Sequence, residues 1–386
     1  MAQLRIASMV GARPNFMKIA PIVHEISRIP GIEHRLIHSG QHYDEQMSES
    51  IFRDLKIPKP DYNLGVGSGS HARQTAEVMI RFEAVLLEWK PDVTIVVGDV
   101  NSTLAAALVA TKLDIPVAHV EAGLRSFDMS MPEEINRKLT DAISDFLFVT
   151  ERSGIENLQK EGIRADRIFF TGNVMIDCLL EHRKLAARSD ILRRLQVAGN
   201  GAARADYAVL TLHRPSNVDD REVLSELLST VALLAERLPV FFPVHPRSME
   251  RIRGFGLAKH LAESPSDAPQ RGIIPLAPLS YLDFLCLMDH ARLLLTDSGG
   301  IQEETTILGI PCLTLRDNTE RPVTVEHGTN QIVGRNRGKI LTAAWSILDR
   351  AAGPGRAPEL WDGRASQRIL EILLEKFRPK LLTPAG

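Results

Sequence analysis

The stretch VTIVVGDVNSTLAAALVATKLDIPVAHVE, residues 93–121, contains the repeating unit from which the fold is predicted. Two short apolar runs, 93–97 and 117–120, flank a helical stretch, which is the pattern of a strand, a helix and a second strand. Strands that alternate with helices form parallel, doubly wound sheets, so we predict an α/β protein with Rossmann-like domains. The same rhythm recurs in the runs LRIASMV, HRLIHSG, DFLFVT, YAVLTLH, LPVFFPVH, ARLLLTDSGG and IPCLTLR.

The length of the chain predicts two domains. Its 386 residues exceed what one ordinary hydrophobic core supports, and the strand and helix rhythm breaks at VAGNGAARAD, residues 197–206. We therefore predict Rossmann-like domains over residues 1–172 and 173–363, facing each other across a cleft. An apolar stripe predicts a last helix over 364–386 that packs back onto the first domain.

Composition excludes several classes of protein. A formal net charge of -2 and a pI near 6.7 do not provide the basic excess that a nucleic-acid surface needs. The cysteines Cys178, Cys286 and Cys312 lie far apart in the sequence, so we expect neither a disulfide framework nor a zinc site. We also expect no cofactor. Because the chain has neither signal-peptide features nor an apolar run of roughly 20 residues, we expect a cytoplasmic protein without a membrane partner.

The residues that directly follow the predicted strands carry most of the candidate chemistry, because ligands of open α/β sheets bind at the carboxyl ends of the strands. In the first half these positions include the acids Asp99 and Glu121. In the second half they include His213, His245 and the segment 297–300. This division predicts proton transfer in the first domain and anion binding in the second.

The stretch LLLTDSGGIQEE, residues 293–304, is typical of a strand that runs into a phosphate-binding helix start. The glycines at 299–300 let the backbone approach a phosphate closely. The free N–H groups at the helix start and the helix dipole then stabilise the negative charge of the phosphate. Glu303 and Glu304 follow one turn later, where a carboxylate can accept ribose hydroxyls. The alternative is an ordinary capped helix. The glycine-rich GVGSGSH at 65–71 follows no predicted strand, so it favours a loop with a helix cap over a nicotinamide site.

The stretch MPEEINRK, residues 131–138, predicts the start of a helix with Pro132 in the first position. Glu133 and Glu134 then lie in the first turn, four residues before Arg137 and Lys138 respectively. This spacing allows ordinary surface ion pairs, and it also allows carboxylates that face a substrate.

Asp99 and Glu121 differ from these helical acids because each follows a run that looks buried. Each carboxylate should therefore be partly desolvated at the sheet edge, where its pKa can rise toward a value suited to proton transfer. For Asp99 the alternative role is that of a helix N-cap.

A set of ordered motifs covers nearly the whole chain. Together they resemble the non-hydrolysing UDP-N-acetylglucosamine 2-epimerases, a family with the two-domain GT-B-type fold of many glycosyltransferases. The motifs are GARPNFMKIAPIV, GDVNST, HVEAGLRS, MPEEINR, TGNVMID, TLHRPSN, PVHP, TDSGGIQEE, TERPVTVEHGT and DGRAS.

The resemblance implies an isomerase that inverts C2 of UDP-GlcNAc to give UDP-ManNAc, by elimination and readdition of UDP, in polysaccharide biosynthesis. It also implies a homodimer. The catalytic groups it implies are Asp99, Glu121, Glu133 and His213. The substrate-binding groups it implies are Arg13, Lys18, Arg137, Ser298, Gly299, Gly300, Glu304 and Arg321.

Two departures from the family pattern leave alternatives open. HRPSN replaces the common HRREN. GQHYDEQ places Asp44 where many relatives have a glutamine or glutamate that contributes to a second, regulatory substrate site. The other residues of that site correspond to Gln41, Arg73 and His245. The residues within these motifs also resemble those of relatives that epimerise UDP-2,3-diacetamido-glucuronic acid. A glycosyltransferase of the same fold is a further alternative.

Overall fold

The computed structural model describes residues 3–40, 52–197, 206–262, 271–349 and 355–381. The chain divides into two compact units, Met1–Leu180 with Glu359–Gly386, and Glu181–Pro358. Each unit is built around one parallel sheet with helices between successive strands. The α/β class and the doubly wound, Rossmann-like sheets predicted from the sequence are thereby confirmed.

The first unit contains a sheet of seven described strands in the order β3-β2-β1-β4-β5-β6-β7. These strands are β1 (Leu4–Val10), β2 (Ile32–His38), β3 (Tyr62–Asn63), β4 (Val93–Val97), β5 (Val117–Ala122), β6 (Phe146–Val149) and β7 (Ile168–Phe170). Its helices are α1 (Arg13–Arg28), α2 (His71–Trp89), α3 (Asn101–Lys112), α4 (Pro132–Ile143), α5 (Arg152–Lys160), α6 (Val174–Ala186), within which the unit ends, and α15 (Ala365–Leu381).

The second unit contains a sheet of six described strands in the order β10-β9-β8-β11-β12-β13. These strands are β8 (Ala208–Thr211), β9 (Val240–Pro243), β10 (Ile273–Leu276), β11 (Leu293–Thr296), β12 (Cys312–Thr314) and β13 (Asn330–Ile332). Its helices are α7 (Ile191–Arg194), α8 (Pro215–Val218), α9 (Arg221–Ala235), α10 (Pro246–Gly254), α11 (Tyr281–Asp289), α12 (Gly299–Leu308), α13 (Val323–Glu326) and α14 (Arg337–Asp349).

Both sheets reverse their strand order at a topological switch point, between β1 and β4 in the first unit and between β8 and β11 in the second. Open α/β sheets bind ligands outside the carboxyl ends of the strands at such a point. The fold therefore gives each unit one preferred site, and it lies among the residues that follow these strands.

Buried apolar strands explain why these segments form the centre of each sheet. Every residue of β4 and β5 is buried, as expected for parallel strands covered by helices on both faces. Helix α3 is buried along most of its length, and its alanines let it pack closely between α2 and α4. At the C-terminus, α15 packs against α1 through a face that includes Ile369, Leu370 and Leu373. No helix in the described parts of the chain is long and apolar enough to cross a membrane.

Candidate functional site

Glu121 lies near the end of β5 in a backbone conformation that side chains rarely adopt. Its φ is +76°, and the register of β5 against β6 shifts between Val120 and Ala122. A bulge with a left-handed, non-glycine residue carries strain, which is concentrated at functional sites in proteins. The buried carboxylate accepts a hydrogen bond from Lys18 Nζ at 2.8 Å.

Gly98 makes room for this ion pair. Its φ is +68°, and a Cβ at this position would lie 2.8 Å from Lys18 Nζ. A larger residue would therefore be strained and would also displace the lysine. Gly98 follows β4 and Lys18 lies on α1, so the two sides of the switch point meet here.

Asp99 does not cap the helix that follows it, because the N-cap of α3 is Val100. Its carboxylate instead accepts a hydrogen bond from Arg137 Nη1 at 2.5 Å, and 22% of its side chain is exposed. Asn136 donates to the backbone oxygen of Asp99 at 2.9 Å. Helix α4 therefore holds both the backbone and the side chain of Asp99.

Pro132 is the first residue of α4, as predicted, but the interpretation of Glu134 as a surface residue is wrong. Glu134 is buried, pairs with Arg137 at 2.6 Å, and accepts the backbone N–H groups of Ser126 and Phe127. Burial alone would raise the pKa of Glu134, but these hydrogen bonds and Arg137 outweigh it and lower the pKa. Glu134 thus fixes the loop before α4, a role that helical spacing did not reveal.

The remaining charges of this helix are arranged differently. Arg137 is buried, like Glu134. It therefore does not form the exposed ion pair with Glu133 that the helical spacing allowed. Lys138 lies 3.8 Å from Glu161 and not beside Glu134 as the spacing suggested. Glu133 lies in the first turn of α4 and is half-buried.

In the second unit, β11 leads through Asp297 into the glycine-rich start of α12. Ser298 is the N-cap residue, yet its side chain makes no capping hydrogen bond. Gly299 and Gly300 form the start of the helix. A Cβ on Gly299 would lie 2.5 Å from Arg321 Nη1, so only glycine lets the arginine pass this close. The alternative of an ordinary capped helix does not account for this approach.

Arg321 is held by two carboxylates over the start of α12. Its Nε lies 2.7 Å from Glu303 Oε1, and its Nη1 lies 2.7 Å from Glu320 Oε1. Glu320 also pairs with Arg316 at 2.7 Å. All four side chains are buried. Two arginines and two glutamates balance in formal charge, and this arrangement stabilises groups that would be costly to bury alone.

Glu304 lies one residue further along the same helix in a different environment. It is buried and accepts a hydrogen bond from Tyr281 Oη at 3.2 Å. Burial, together with the neighbouring charge of Glu303, raises its pKa to about 8. At neutral pH this carboxyl group is therefore largely protonated and can donate as well as accept a hydrogen bond.

His213 follows β8 and is positioned by Asp297. Its Nδ1 lies 2.8 Å from Asp297 Oδ1, and the ring is 45% exposed. The same carboxylate accepts the backbone N–H groups of His213 and Arg214 and the side-chain amide of Asn217. Burial would raise the pKa of Asp297, but these partners lower it. Sequence reasoning placed Asp297 at a strand end without recognising that it fixes the histidine ring.

The predicted second site is only partly covered by the structure. Gln41 and Asp44 lie outside the described residues. Arg73 is exposed on α2 of the first unit, and His245 is the N-cap of α10 in the second, where its Nδ1 accepts the N–H of Arg247 at 3.3 Å. Arg13, predicted to bind substrate, is the first residue of α1.

Comparison with known proteins shows close relatives along almost the entire chain. The UDP-N-acetylglucosamine 2-epimerase of Methanocaldococcus jannaschii is 42% identical over 372 residues, which cover 96% of this chain and 99% of that protein. The UDP-2,3-diacetamido-2,3-dideoxy-D-glucuronate 2-epimerase of Pseudomonas aeruginosa is 38% identical over 380 residues, with coverage of 96% and 99%.

Solved structures agree with the sequence comparison. The crystal structure of the M. jannaschii UDP-GlcNAc 2-epimerase in complex with UDP-GlcNAc and UDP superposes with a TM-score of 0.86 at 41% identity, covering 96% of this chain and all of that one. The profile of the family described as UDP-N-acetylglucosamine 2-epimerase matches residues 24–374. This chain therefore belongs to the UDP-N-acetylglucosamine 2-epimerase family of isomerases.

Proposed function

We propose that this protein interconverts UDP-GlcNAc and UDP-ManNAc by inverting C2 of the sugar. The observation that carries the proposal is the pair of strand-end carboxylates, Asp99 and Glu121, each held by a cation beside the switch point of the first sheet. A transferase of the same fold needs at most one base, whereas inversion of C2 requires removal and return of a proton.

The chemistry of the substrate explains why proton transfer alone is insufficient. The C2 hydrogen is not next to a carbonyl group, so an ordinary carboxylate cannot remove it from the intact sugar. When the C1–O bond breaks, its electron pair leaves with UDP and positive charge develops at C1. The C2–H electron pair then forms a C1=C2 double bond, and the proton passes to a carboxylate. Return of a proton to the other face, with readdition of UDP, completes the inversion.

In the first unit we assign proton transfer to Asp99, Glu121 and Glu133. Lys18 compensates the buried charge of Glu121, and Arg137 orients Asp99, as their 2.8 and 2.5 Å contacts support. Side chains held this way need little reorganisation during the reaction, which favours a low barrier.

In the second unit we assign the nucleotide to the start of α12. Amides of Ser298, Gly299 and Gly300 would bind the diphosphate, and the helix dipole supports an anion there. His213 would donate a hydrogen bond to the departing diphosphate, and Arg321 would supply positive charge. Glu304 would bind the ribose hydroxyls, and its protonated carboxyl group could both accept a hydrogen bond from them and donate one.

The direct test is incubation of the purified protein with UDP-GlcNAc alone, followed by proton NMR. We expect UDP-ManNAc to accumulate to an equilibrium mixture without any acceptor, metal or nicotinamide. Release of UDP and transfer of the sugar only when an acceptor is supplied would overturn the proposal in favour of a glycosyltransferase.

A second candidate substrate is UDP-2,3-diacetamido-2,3-dideoxy-glucuronate, which the name of the P. aeruginosa relative specifies at 38% identity. The reaction at C2 would be the same, so the carboxylates of the first unit do not discriminate between the two sugars. Parallel assays with both substrates decide this point, since the natural one should have the higher kcat/KM.

We also propose that the protein is a homodimer. Ile80 and Leu87 on α2 are 66% and 55% exposed, and Ile135 and Leu139 on α4 are 41% and 48% exposed. A cavity of about 390 Å³, lined in part by Met79 and Ile135, lies beside these side chains. Exposed apolar faces of this kind mark protein interfaces, and a two-fold axis would let the same face cover itself.

Light scattering tests this assembly. We expect the mass of a dimer from the native protein and of a monomer from Ile80→Glu/Leu139→Glu. A native monomer at micromolar concentration would rule the homodimer out.

A further inference from the structure

A network of four titratable side chains, three of which are buried, lies behind the candidate carboxylates of the first unit. His119 on β5 is fully buried, and its Nδ1 lies 2.6 Å from Asp141 Oδ1 on α4. Asp141 Oδ2 lies 2.7 Å from Arg125 Nη1, and Arg125 binds Glu161 through two further hydrogen bonds. Because the imidazole is inaccessible, it cannot touch a substrate.

The partners of His119 fix the orientation of its ring. Its Nε2 lies 2.9 Å from the backbone oxygen of Gly98, which can only accept, so Nε2 is the donor of this hydrogen bond. Asp141 Oδ2 accepts from Arg125 and from the N–H of Gly123, and the Gly123 contact is 3.1 Å long. Burial alone would raise the pKa of Asp141, but His119 and Arg125 outweigh it and lower the pKa. The ring is therefore held on both sides, by Gly98 through Nε2 and by Asp141 through Nδ1.

The network contacts the backbone on both sides of the candidate catalytic groups. The Gly98 oxygen belongs to the peptide bond that leads into Asp99, and the Gly123 nitrogen lies two residues beyond Glu121. Gly98, Glu121 and Gly123 have φ values of +68°, +76° and +82°. Three left-handed residues in two adjacent segments persist only if surrounding contacts hold them in place.

We propose that His119 is a positioning residue, held by Asp141, that fixes the strained backbone carrying Glu121 and Asp99. The ring joins the end of β4 to the end of β5, and Asp141 joins both to α4, which bears Glu133 and Arg137. Three elements that present carboxylates therefore share one buried support. This inference rests on the proposed function, because it assigns the network a purpose in the same reaction.

Two substitutions separate the two hydrogen bonds of the ring. The amide of His119→Gln reaches the Nε2 position and keeps a donor for Gly98, whereas His119→Asn reaches only the Nδ1 position and loses that donor. His34→Asn is the matched control, because His34 bonds Ser8 within the same sheet but lies near the opposite end of its strand. Steady-state kinetics with UDP-GlcNAc, UDP calorimetry and thermal unfolding are measured for each variant.

We expect His119→Asn to lower kcat by about 100-fold, the effect of a small displacement of reacting groups, with KM and UDP affinity unchanged. His119→Gln should recover part of this loss, and His34→Asn should retain full turnover. A folded His119→Asn protein with native kcat would overturn the inference, as would an equal loss in the His34 control.

A spectroscopic measurement keeps the inference testable if the variants fail to fold. In native protein labelled with ¹⁵N at histidine, Nε2 of His119 should have the shift of a protonated nitrogen, because it donates to the Gly98 oxygen. A non-protonated Nε2 would remove this hydrogen bond and overturn the inference. Absence of epimerase turnover in the native protein would instead overturn the proposed function, and the NMR result would stand independently.

Discussion

At the carboxyl edge of the first sheet, Lys18 pairs with Glu121 and Arg137 pairs with Asp99. At the carboxyl edge of the second sheet, Asp297 pairs with His213 and Glu303 pairs with Arg321. Both edges lie at the switch point of the same strand order. In the first unit basic side chains support acids, and in the second unit acids support basic side chains.

This reversal shows how one architecture can be given two tasks. The fold provides the location in both units, and the first residues after each strand decide whether that location presents negative or positive charge. A reaction that separates a proton from a diphosphate leaving group needs both kinds of site, so the two units are complementary in chemistry although alike in topology.

The largest effect should come from the acids of the first unit. Glu121→Gln and Asp99→Asn keep the shape of the side chain and remove the base, so turnover should fall by about 100-fold or more with UDP affinity nearly unchanged. Calorimetry and kinetics on the same samples check this. Glu156→Gln, an exposed change on α5, is the control and should have full activity. Loss of UDP affinity with normal turnover would reverse our assignment of the two units.

The cationic site of the second unit should respond in the opposite way. Arg321→Ala removes a charge-assisted contact to the nucleotide, so UDP affinity should weaken by about 1 to 3 kcal/mol. It also removes one buried partner charge from Glu303 and one from Glu320, which keeps its pair with Arg316, so the free energy of unfolding should fall too. Arg237→Ala, which breaks an exposed pair with Asp349, should change neither quantity by more than about 0.5 kcal/mol. Unchanged UDP affinity in Arg321→Ala would remove this residue from the site.

Glu304 gives the second unit a distinct dependence on pH. Its pKa is about 8 in the folded protein against 4.5 for the ordinary group, so the folded state binds more protons between these values. The contribution of Glu304 to the free energy of unfolding is therefore fully present below pH 4.5 and is lost as the pH rises to 8. Between these values the free energy of unfolding should fall by up to about 1.4 kcal/mol per pH unit. Denaturant titrations of native protein and Glu304→Gln should show a shallower decline in the variant. Identical pH profiles would contradict the raised pKa.

The smallest effect concerns regulation of the first unit by a second substrate molecule. The family resemblance implies that Asp44 stands where relatives with a glutamine have a neutral amide near the diphosphate of a second substrate, and a carboxylate there should weaken binding. Rate curves should be near-hyperbolic, and UDP-ManNAc should be converted without added UDP-GlcNAc. Asp44→Gln should introduce sigmoidal behaviour. A strongly sigmoidal native enzyme with a strict requirement for UDP-GlcNAc would show that our interpretation of Asp44 is wrong.

Sequence reasoning predicted the interior of each sheet better than its edges. The runs at β1, β4, β5, β8 and β11 are apolar because both faces are covered, and all were predicted as strands. The strands that were not predicted are β3, β7, β10 and β13, which are the outermost described strands of the two sheets. Edge strands are short and form through pairing with a neighbour, a contact that composition does not encode.

The same limit applies to the site. Asp99, Glu121 and His213 could be selected as candidates because each follows a predicted strand. The topology places each of them at the carboxyl edge of its own sheet. Sequence reasoning could not find the φ of +76° at Glu121, the burial of Glu134 or the support of His213 by Asp297, since each depends on contacts between distant segments. Lys18 and Arg321 lie in segments that follow predicted strands, and their substrate-binding roles are implied by the family resemblance.

The most direct measurement is turnover of UDP-GlcNAc in deuterium oxide, with the C2 position followed by NMR. If carboxylates of the first unit remove and return the C2 proton while the second unit retains UDP, deuterium should appear at C2 of both UDP-GlcNAc and UDP-ManNAc as they interconvert. Epimerisation in which both sugars keep the original C2 hydrogen would contradict proton transfer through Asp99, Glu121 and Glu133.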